Sequence, residues 1–146
     1  MICKAKTIEI KTHKQTEIIN ISKKVQDYID ELNVKDGIIT VYAKHTTARV
    51  VINENEELLL KDLEVFLEKI APWACKYEHD EILRRDCPPD ERINAAAHCR
   101  ALFMSASETI PIKDGKLDLG IWQSVFFFDL DGGHRLREVI LQVIGN

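Results

Sequence analysis

Residues 119–144 read LGIWQSVFFFDLDGGHRLREVILQVI, and this stretch decides the fold class that the sequence predicts. Aromatic and aliphatic residues dominate both 119–130 and 136–144, a composition that is typical of strands. Gly132 and Gly133 lie between the two runs and are a turn signal. Two strand-like runs on either side of a glycine turn favour a sheet that is mainly antiparallel.

Five further segments have the composition of strands. Residues 2–11 alternate between polar and apolar side chains, which is the period of a half-buried strand. Residues 17–21 are predicted to pair with this strand across a polar turn. The remaining runs rich in β-branched residues are 37–43, 50–52 and 109–112.

Three segments favour helices. In the first, Ser22 is the predicted N-cap, and apolar residues recur at helical spacing from Val25 to Leu32. The second has an apolar stripe over residues 59–70, and the third, residues 94–103, is short. Residues 75–91 are predicted to form a long loop, a feature that is often functional in small domains. We therefore predict one α+β domain over residues 1–146, with two to three helices.

Composition excludes several classes of protein. The chain is 45% hydrophobic and 30% charged, as in ordinary globular proteins. A net charge of −4 argues against a broad nucleic-acid-binding surface. No apolar stretch approaches the ~18 residues of a membrane span, so we expect no membrane partner. The amino terminus is not a signal peptide, and no CxxC pair occurs among the four cysteines, so a cytoplasmic protein is predicted.

Three histidines are the first candidates for a functional site. His45 ends a predicted strand, His79 lies in the polar loop and His98 sits in the short helix. Imidazoles from three separate elements can converge on one metal ion and leave a position open for water or substrate. The ion would be zinc or magnesium. The alternative is that each histidine only satisfies local hydrogen bonds.

Polar neighbours accompany these histidines. Asp80, beside His79, is a candidate catalytic residue that could orient an imidazole or hold a divalent cation at a pyrophosphate group. Asn94 begins the predicted short helix and is a candidate substrate-binding residue. Asp129 and Asp131 allow the same interpretation as Asp80, although turn formation explains them equally well.

Two arginines are the candidates for binding an anion. Arg135 and Arg137 follow the glycine turn, and alternate residues of a strand face the same side. Their planar guanidinium groups match the geometry of phosphate oxygens. Thr46 and Thr47 could add hydroxyl donors. The alternative is a solvated strand start with two exposed arginines.

Several short motifs together resemble the YjbQ-like family, also called the secondary thiamine-phosphate synthase family. The matching pieces, in family order, are His45-Thr46-Thr47-Ala48, Ile52-Asn53-Glu54-Asn55, Tyr77-Glu78-His79-Asp80, Asn94-x-x-Ala97-His98, Ser107-x-x-Ile110-x-Ile112-x-x-Gly115 and Leu119-Gly120-Ile121-Trp122-Gln123-Ser124-Val125. They cover the chain from His45 onwards. Two departures stand out: Ile121 replaces the usual threonine, and Gly132-Gly133-His134 replaces the usual glycine-proline turn.

The resemblance implies a compact fold on a curved or barrel-like sheet, usually in a homotrimer with sites near the subunit interfaces. It also implies a thiamine-phosphate synthase activity, which joins hydroxymethylpyrimidine pyrophosphate to a thiazole phosphate. The expected partner is thus a small phosphorylated substrate, and the enzyme class a transferase. Two alternatives remain: a zinc-dependent hydrolase that uses His45, His79 and His98, and a non-catalytic trimeric ligand-binding protein.

Overall fold

Eight strands form two antiparallel sheets in the computed structural model, which describes residues 1–146. The strands are β1 (Ile2–Thr12), β2 (Glu17–Asn20), β3 (Gly37–Ala43), β4 (Ala48–Glu54), β5 (Ser107–Lys113), β6 (Lys116–Leu117), β7 (Gln123–Asp129) and β8 (Arg135–Gly145). One sheet has five strands in the order β1-β8-β3-β5-β6, and the other has three in the order β2-β7-β4. The predicted antiparallel pairing is confirmed.

Three helices complete the fold: α1 (Ser22–Leu32), α2 (Glu57–Ile70) and α3 (Ala95–Ala101). The first ends at Asn33, which adopts the left-handed conformation that often closes helices. The second is capped by Glu56, whose carboxylate accepts hydrogen bonds from the N–H groups of Leu58 and Leu59. None of the helices has the length and apolar character that crossing a membrane requires.

The larger hydrophobic core fills the space between the two sheets. It contains the inward side chains of β3 and β8, such as Ile39 and Leu141, together with Val125 and Phe127 from the facing sheet. Helix α1 closes this core with buried residues that include Ile29. The sheets curl into a half-barrel around the core, so the predicted α+β class with a curved antiparallel sheet is confirmed.

The three-stranded sheet is covered on both faces. Its central strand, β7, turns Phe127 into the larger core and Phe126 and Phe128 towards the opposite side. There Phe126 and Phe128 join a second core with Leu67 of α2 and Ala97 of α3. A continuous apolar run is the pattern of a strand buried on both faces, which explains the sequence of β7.

Three local predictions are wrong. Strand β2 pairs with β7 and not with β1, because Ile18 and Ile19 of this short strand lie beside the aromatic run of β7, next to Phe128 and Phe127. Ser22 is not the N-cap: that position is Ile21, and the Ser22 hydroxyl instead accepts a hydrogen bond from the Val125 N–H. The strand-like run over residues 119–130 is also shorter than predicted. Strand β7 begins only at Gln123, whose side-chain oxygen accepts a hydrogen bond from the Gly120 N–H in the preceding turn.

Candidate functional site

A cavity of about 340 Å³ opens where the turn after β3, the start of β8, the long loop and α3 meet. Not one of its lining residues is hydrophobic. We call it the arginine cavity, and it is lined by His45, Thr46, Thr47, His79, Arg85, Glu91, Arg92, Asn94, His98, Arg135 and Arg137. The predicted histidines, threonines and arginines and Asn94 all belong to this set, whereas Asp80, Asp129 and Asp131 do not.

The three predicted histidines therefore meet at one site. His79 lies in a short 3₁₀ turn (Glu78–Asp80) and His98 on α3, and their rings stand edge to face with centroids 4.9 Å apart. His45 reaches the cavity from the turn between β3 and β4. Burial lowers the pKa of His98 below its ordinary value, and the neighbouring His79 lowers it further. We infer that His98 is neutral near pH 7.

The protonation of His45 follows from one hydrogen bond. Its Nε2 accepts from the backbone N–H of Glu138 at 2.9 Å. A backbone N–H can only donate, so Nε2 carries the lone pair and the neutral ring has its proton on Nδ1. Burial lowers the pKa of His45, and the Arg137 and Arg135 guanidinium groups lower it further. His45 is thus a neutral imidazole with one free donor, Nδ1–H.

This hydrogen bond bears on the metal site that the sequence predicts. The centroid separation of 4.9 Å between His79 and His98 suits two imidazoles that share one ion. His45 is a poor third ligand, because its only lone pair already accepts from the Glu138 N–H. No three His, Cys, Asp or Glu side chains form a metal-binding group. The donor set does not fit a three-histidine zinc site, and we assign no chemical step to a metal.

Arg137 is held by a buried ion pair. It is 1% exposed, and its Nε and Nη2 donate to the two carboxylate oxygens of Asp129 at 2.9 and 2.7 Å. Thr12 also donates to this carboxylate, and Thr47 accepts from Arg137 Nη2 at 3.1 Å. Burial opposes ionisation of Asp129, but hydrogen bonds from Arg137 and Thr12 keep the pKa of its carboxyl below its ordinary value. The alternative of a solvated strand start with two exposed arginines is therefore excluded, because Arg137 is buried.

Asp131 anchors two further arginines of the cavity, Arg92 and Arg135. Its carboxylate accepts from Nε and Nη2 of Arg92, from Nη1 of Arg135 and from the Asn94 amide, at 2.8 to 3.1 Å. The Asn94 side chain therefore positions this carboxylate. Arg135 and Arg137 lie on one face of β8, as alternation predicts.

Asp80 connects the 3₁₀ turn that contains His79 to helix α3. One of its carboxylate oxygens accepts a hydrogen bond from the Ala95 N–H, the first residue of α3, at 3.0 Å. It does not line the arginine cavity. The contact ties the His79 turn to the helix that carries His98, so Asp80 acts on the site through the placement of both imidazoles.

The long loop extends to Asn94 in the structure, and it contributes three residues that were not predicted: Arg85, Glu91 and Arg92. Their only sequence signal is the charge density of a loop that has no regular period. With them, four guanidinium groups face one cavity against the carboxylates of Glu91, Asp129 and Asp131. Nη1 of Arg137, Nη1 of Arg92 and Nη2 of Arg135 have no hydrogen-bond partner within the chain. These donors suit a small, highly charged anion.

Comparisons with known sequences agree on one family. The family model described as UPF0047 protein YjbQ-like matches residues 6–146. A UPF0047 protein of Methanothermobacter thermautotrophicus is 36% identical over 138 residues, which cover 94% of this chain and 90% of that protein. The UPF0047 protein YugU of Bacillus subtilis is 32% identical over 141 residues, which cover 96% of this chain and 98% of that protein.

Solved structures agree with the sequences. The crystal structure of a YbjQ-like protein of unknown function from Sulfolobus solfataricus matches with a TM-score of 0.89 and 28% identity, and the match covers 99% of both chains. That of an uncharacterised YjbQ/UPF0047 family protein from Clostridium acetobutylicum matches with a TM-score of 0.82 and 35% identity, over 94% of this chain and 98% of that one. The motifs, the family model and the shared fold lead to one conclusion: this chain belongs to the YjbQ-like UPF0047 protein family.

Proposed function

We propose that the protein is a transferase that binds a small phosphorylated substrate in the arginine cavity. The reaction that we propose is that of a thiamine-phosphate synthase, in which hydroxymethylpyrimidine pyrophosphate and a thiazole phosphate combine with loss of pyrophosphate. One observation carries the proposal: the cavity has four guanidinium groups and no hydrophobic side chain. Such a lining favours a phosphate or pyrophosphate group over any neutral ligand.

The residues suit the difficult step of this reaction. The bond between the pyrimidine methylene carbon and a pyrophosphate oxygen breaks, and the electron pair leaves with the oxygen. The lone pair of the thiazole nitrogen then forms the new carbon–nitrogen bond. The negative charge that develops on the leaving oxygens is stabilised by Arg135 and Arg137, and His45 donates a hydrogen bond from Nδ1.

The substrates need no protein nucleophile, since the thiazole nitrogen is the attacking group. The neutral imidazoles of His45 and His98 therefore act as hydrogen-bonding groups in this proposal. A zinc-dependent hydrolase would need a lone pair from His45, and the hydrogen bond from Glu138 argues against that use. A non-catalytic ligand-binding protein would use the same donors to retain an anion, so turnover must separate the two possibilities.

The proposal includes a homotrimer in the cytoplasm. Its support is a row of apolar side chains on the outer face of the five-stranded sheet, where Pro111, Ile38 and Ile144 are neighbours in register on β5, β3 and β8. Ile38 and Ile144 are 41% and 42% exposed, and no element of the chain covers them. A closed oligomer would bury this row. Four free cysteines support a reducing compartment.

The test is turnover of the two thiamine precursors by untagged protein, with Arg135→Ala as the variant. We expect thiamine phosphate and pyrophosphate in equal amounts, and a rate that falls at least tenfold in the variant. Arg84→Ala is the matched control, because Arg84 is an exposed loop arginine outside the cavity. Tight binding of pyrophosphate without turnover would favour the ligand-binding alternative. Failure of both activity and binding would overturn the proposal, and a monomer mass by light scattering would overturn the trimer.

A further inference from the structure

A second cavity adjoins the arginine cavity and has a different lining. Its volume is about 560 Å³, and we call it the side cavity. It is lined by Tyr42, Ala43, Lys44, His45, Thr46, Arg49 and Ala106. His45 and Thr46 line both cavities, so a molecule that fills both would pass these two residues.

We infer that the side cavity binds the organic part of the substrate, a planar aromatic or heteroaromatic ring, while the phosphate of the same molecule occupies the arginine cavity. The inference rests on the proposed function. The arginine cavity offers a ring no apolar surface, whereas three of the seven residues of the side cavity are hydrophobic. Tyr42 is 42% exposed there and can present its ring to a ligand.

Arg49 forms a fixed wall of the side cavity. Its Nε donates to the Ala101 carbonyl at 3.0 Å, and its Nη1 donates to the carbonyls of His45 and Ala48, both at 2.9 Å. The side chain forms no ion pair with a carboxylate. Three carbonyl contacts immobilise the guanidinium plane and leave its charge uncompensated, and such a plane stacks well on an aromatic ring.

His45 lies where the two parts of such a ligand would join. Its Nε2 is occupied by the Glu138 N–H, so the single remaining donor is Nδ1–H. Since His45 lines both cavities, we place this donor at their junction. The bridging oxygen between the phosphate and the methylene carbon of the ring is the acceptor that such a position suits. The proposed ligand therefore runs from phosphate through bridging oxygen and methylene to ring.

Two probes separate the cavities: methyl phosphate for the arginine cavity alone, and benzyl phosphate for both. Calorimetric titration of the wild-type protein should give a benzyl phosphate affinity about fivefold or more above that of methyl phosphate, the smallest gain expected for one stacking contact. Ala106→Trp should abolish this gain, because the exposed Ala106 can be enlarged without disturbing the core. Methyl phosphate affinity should stay within twofold.

Tyr42→Ala should also weaken benzyl phosphate selectively, and Phe66→Ala, at an exposed aromatic residue of α2 outside both cavities, should change neither probe. Light scattering on each variant verifies that the assembly is unchanged. If methyl phosphate does not bind the wild type, the proposed function fails and this inference with it. Two outcomes would show that the side cavity does not bind the ring, while the anion site in the arginine cavity would remain supported. In one, methyl phosphate binds and benzyl phosphate binds no more tightly; in the other, Ala106→Trp weakens the binding of both probes equally.

Discussion

The arginine cavity has two walls that are built in different ways. The strand wall consists of His45, Thr47 and Arg137, and the loop wall of His79, Arg85 and Arg92. In the strand wall Thr47 and Arg137 are 4% and 1% exposed, and both join the buried hydrogen bonds around Asp129. The loop wall has only short 3₁₀ turns, and its main anchor is the contact of Arg92 with Asp131.

The difference predicts distinct roles for the strand wall and the loop wall in binding. Donors of the strand wall are already fixed, so a phosphate that binds them orders few side chains and loses little of its affinity to conformational entropy. Arg92 of the loop wall keeps a side chain that is 45% exposed, and it can adjust to ligands of different length. We expect substitutions in the strand wall to affect folding and those in the loop wall to affect binding.

The largest effect is expected from breaking the buried pair. Arg137→Met leaves the Asp129 carboxylate buried without its partner, and we expect a loss of about 3–5 kcal/mol in the free energy of unfolding, measured by urea denaturation. Arg135→Met is the matched control, because Arg135 is one third exposed and Asp131 retains Arg92 and Asn94. The control should lose about 1 kcal/mol or less. Equal losses in both variants would show that the buried pair with Asp129 does not set Arg137 apart from its partly exposed neighbour on β8.

The position of Arg137 was predictable from the sequence, but its ion pair with Asp129 was not. Alternation along β8 placed Arg135 and Arg137 on one face, and the structure agrees. The burial of Arg137 depends on Asp129, which ends β7 in the other sheet. From its neighbours in the chain, Asp129 could be interpreted as a turn residue or as a group that orients an imidazole or holds a cation, and neither interpretation indicates Arg137 as its partner. A contact between two sheets has no local signal, so the ion pair was not predictable from the pattern.

The same limit explains the other differences between sequence and structure. Most strands and all three helices overlap the predicted segments, because the period of apolar residues is a local property; the two-residue strand β6 was not predicted. The partner of β2 was not predictable, because its pairing with β7 depends on aromatic residues more than 100 positions further along the chain. In the site, the histidines stood in recognisable motifs, whereas Arg85 and Arg92 lie in a loop without a period.

The next effect concerns the loop wall. Arg92→Ala should weaken pyrophosphate binding roughly ten- to hundredfold, since one charge-assisted hydrogen bond contributes about 1.5–3 kcal/mol. Its free energy of unfolding should fall much less than that of Arg137→Met. Calorimetric titration and urea denaturation measure the two quantities on the same samples, and Arg84→Ala again serves as the control. A variant that unfolds easily but still binds pyrophosphate would reverse the assignment of the two walls.

A smaller effect is expected where the loop meets α3. Asp80→Ala removes the acceptor of the Ala95 N–H and should cost about 1 kcal/mol of stability, as the loss of a helix cap does. Asp80→Asn keeps an oxygen at this place and should recover most of the loss. Thermal unfolding followed by circular dichroism measures both variants. If Asn lowers turnover as strongly as Ala while restoring stability, Asp80 has the catalytic role that the sequence suggested.

The smallest effect is the pH dependence that His45, a residue of the strand wall, gives to the free energy of unfolding. In the folded chain the pKa of His45 lies below its ordinary value of 6.5, because burial and then Arg137 and Arg135 disfavour the charged ring. Asp129 and Glu138 act in the opposite direction and do not reverse the shift. Near pH 6.5 His45 therefore binds a proton more readily in the unfolded chain than in the folded chain.

The sign of the dependence follows from this difference. Well above pH 6.5 His45 is neutral in both states, so its contribution to the free energy of unfolding is constant. As the pH falls below 6.5, the unfolded state gains protons first and stability declines, until the folded pKa is passed and the curve levels. His45→Gln does not titrate, and its amide oxygen can still accept from the Glu138 N–H. The difference in unfolding free energy, wild type minus variant, should therefore decrease between pH 7.5 and 5.5. An increase over this range would mean that the folded protein stabilises the imidazolium, and the neutral donor assigned to the strand wall would be wrong.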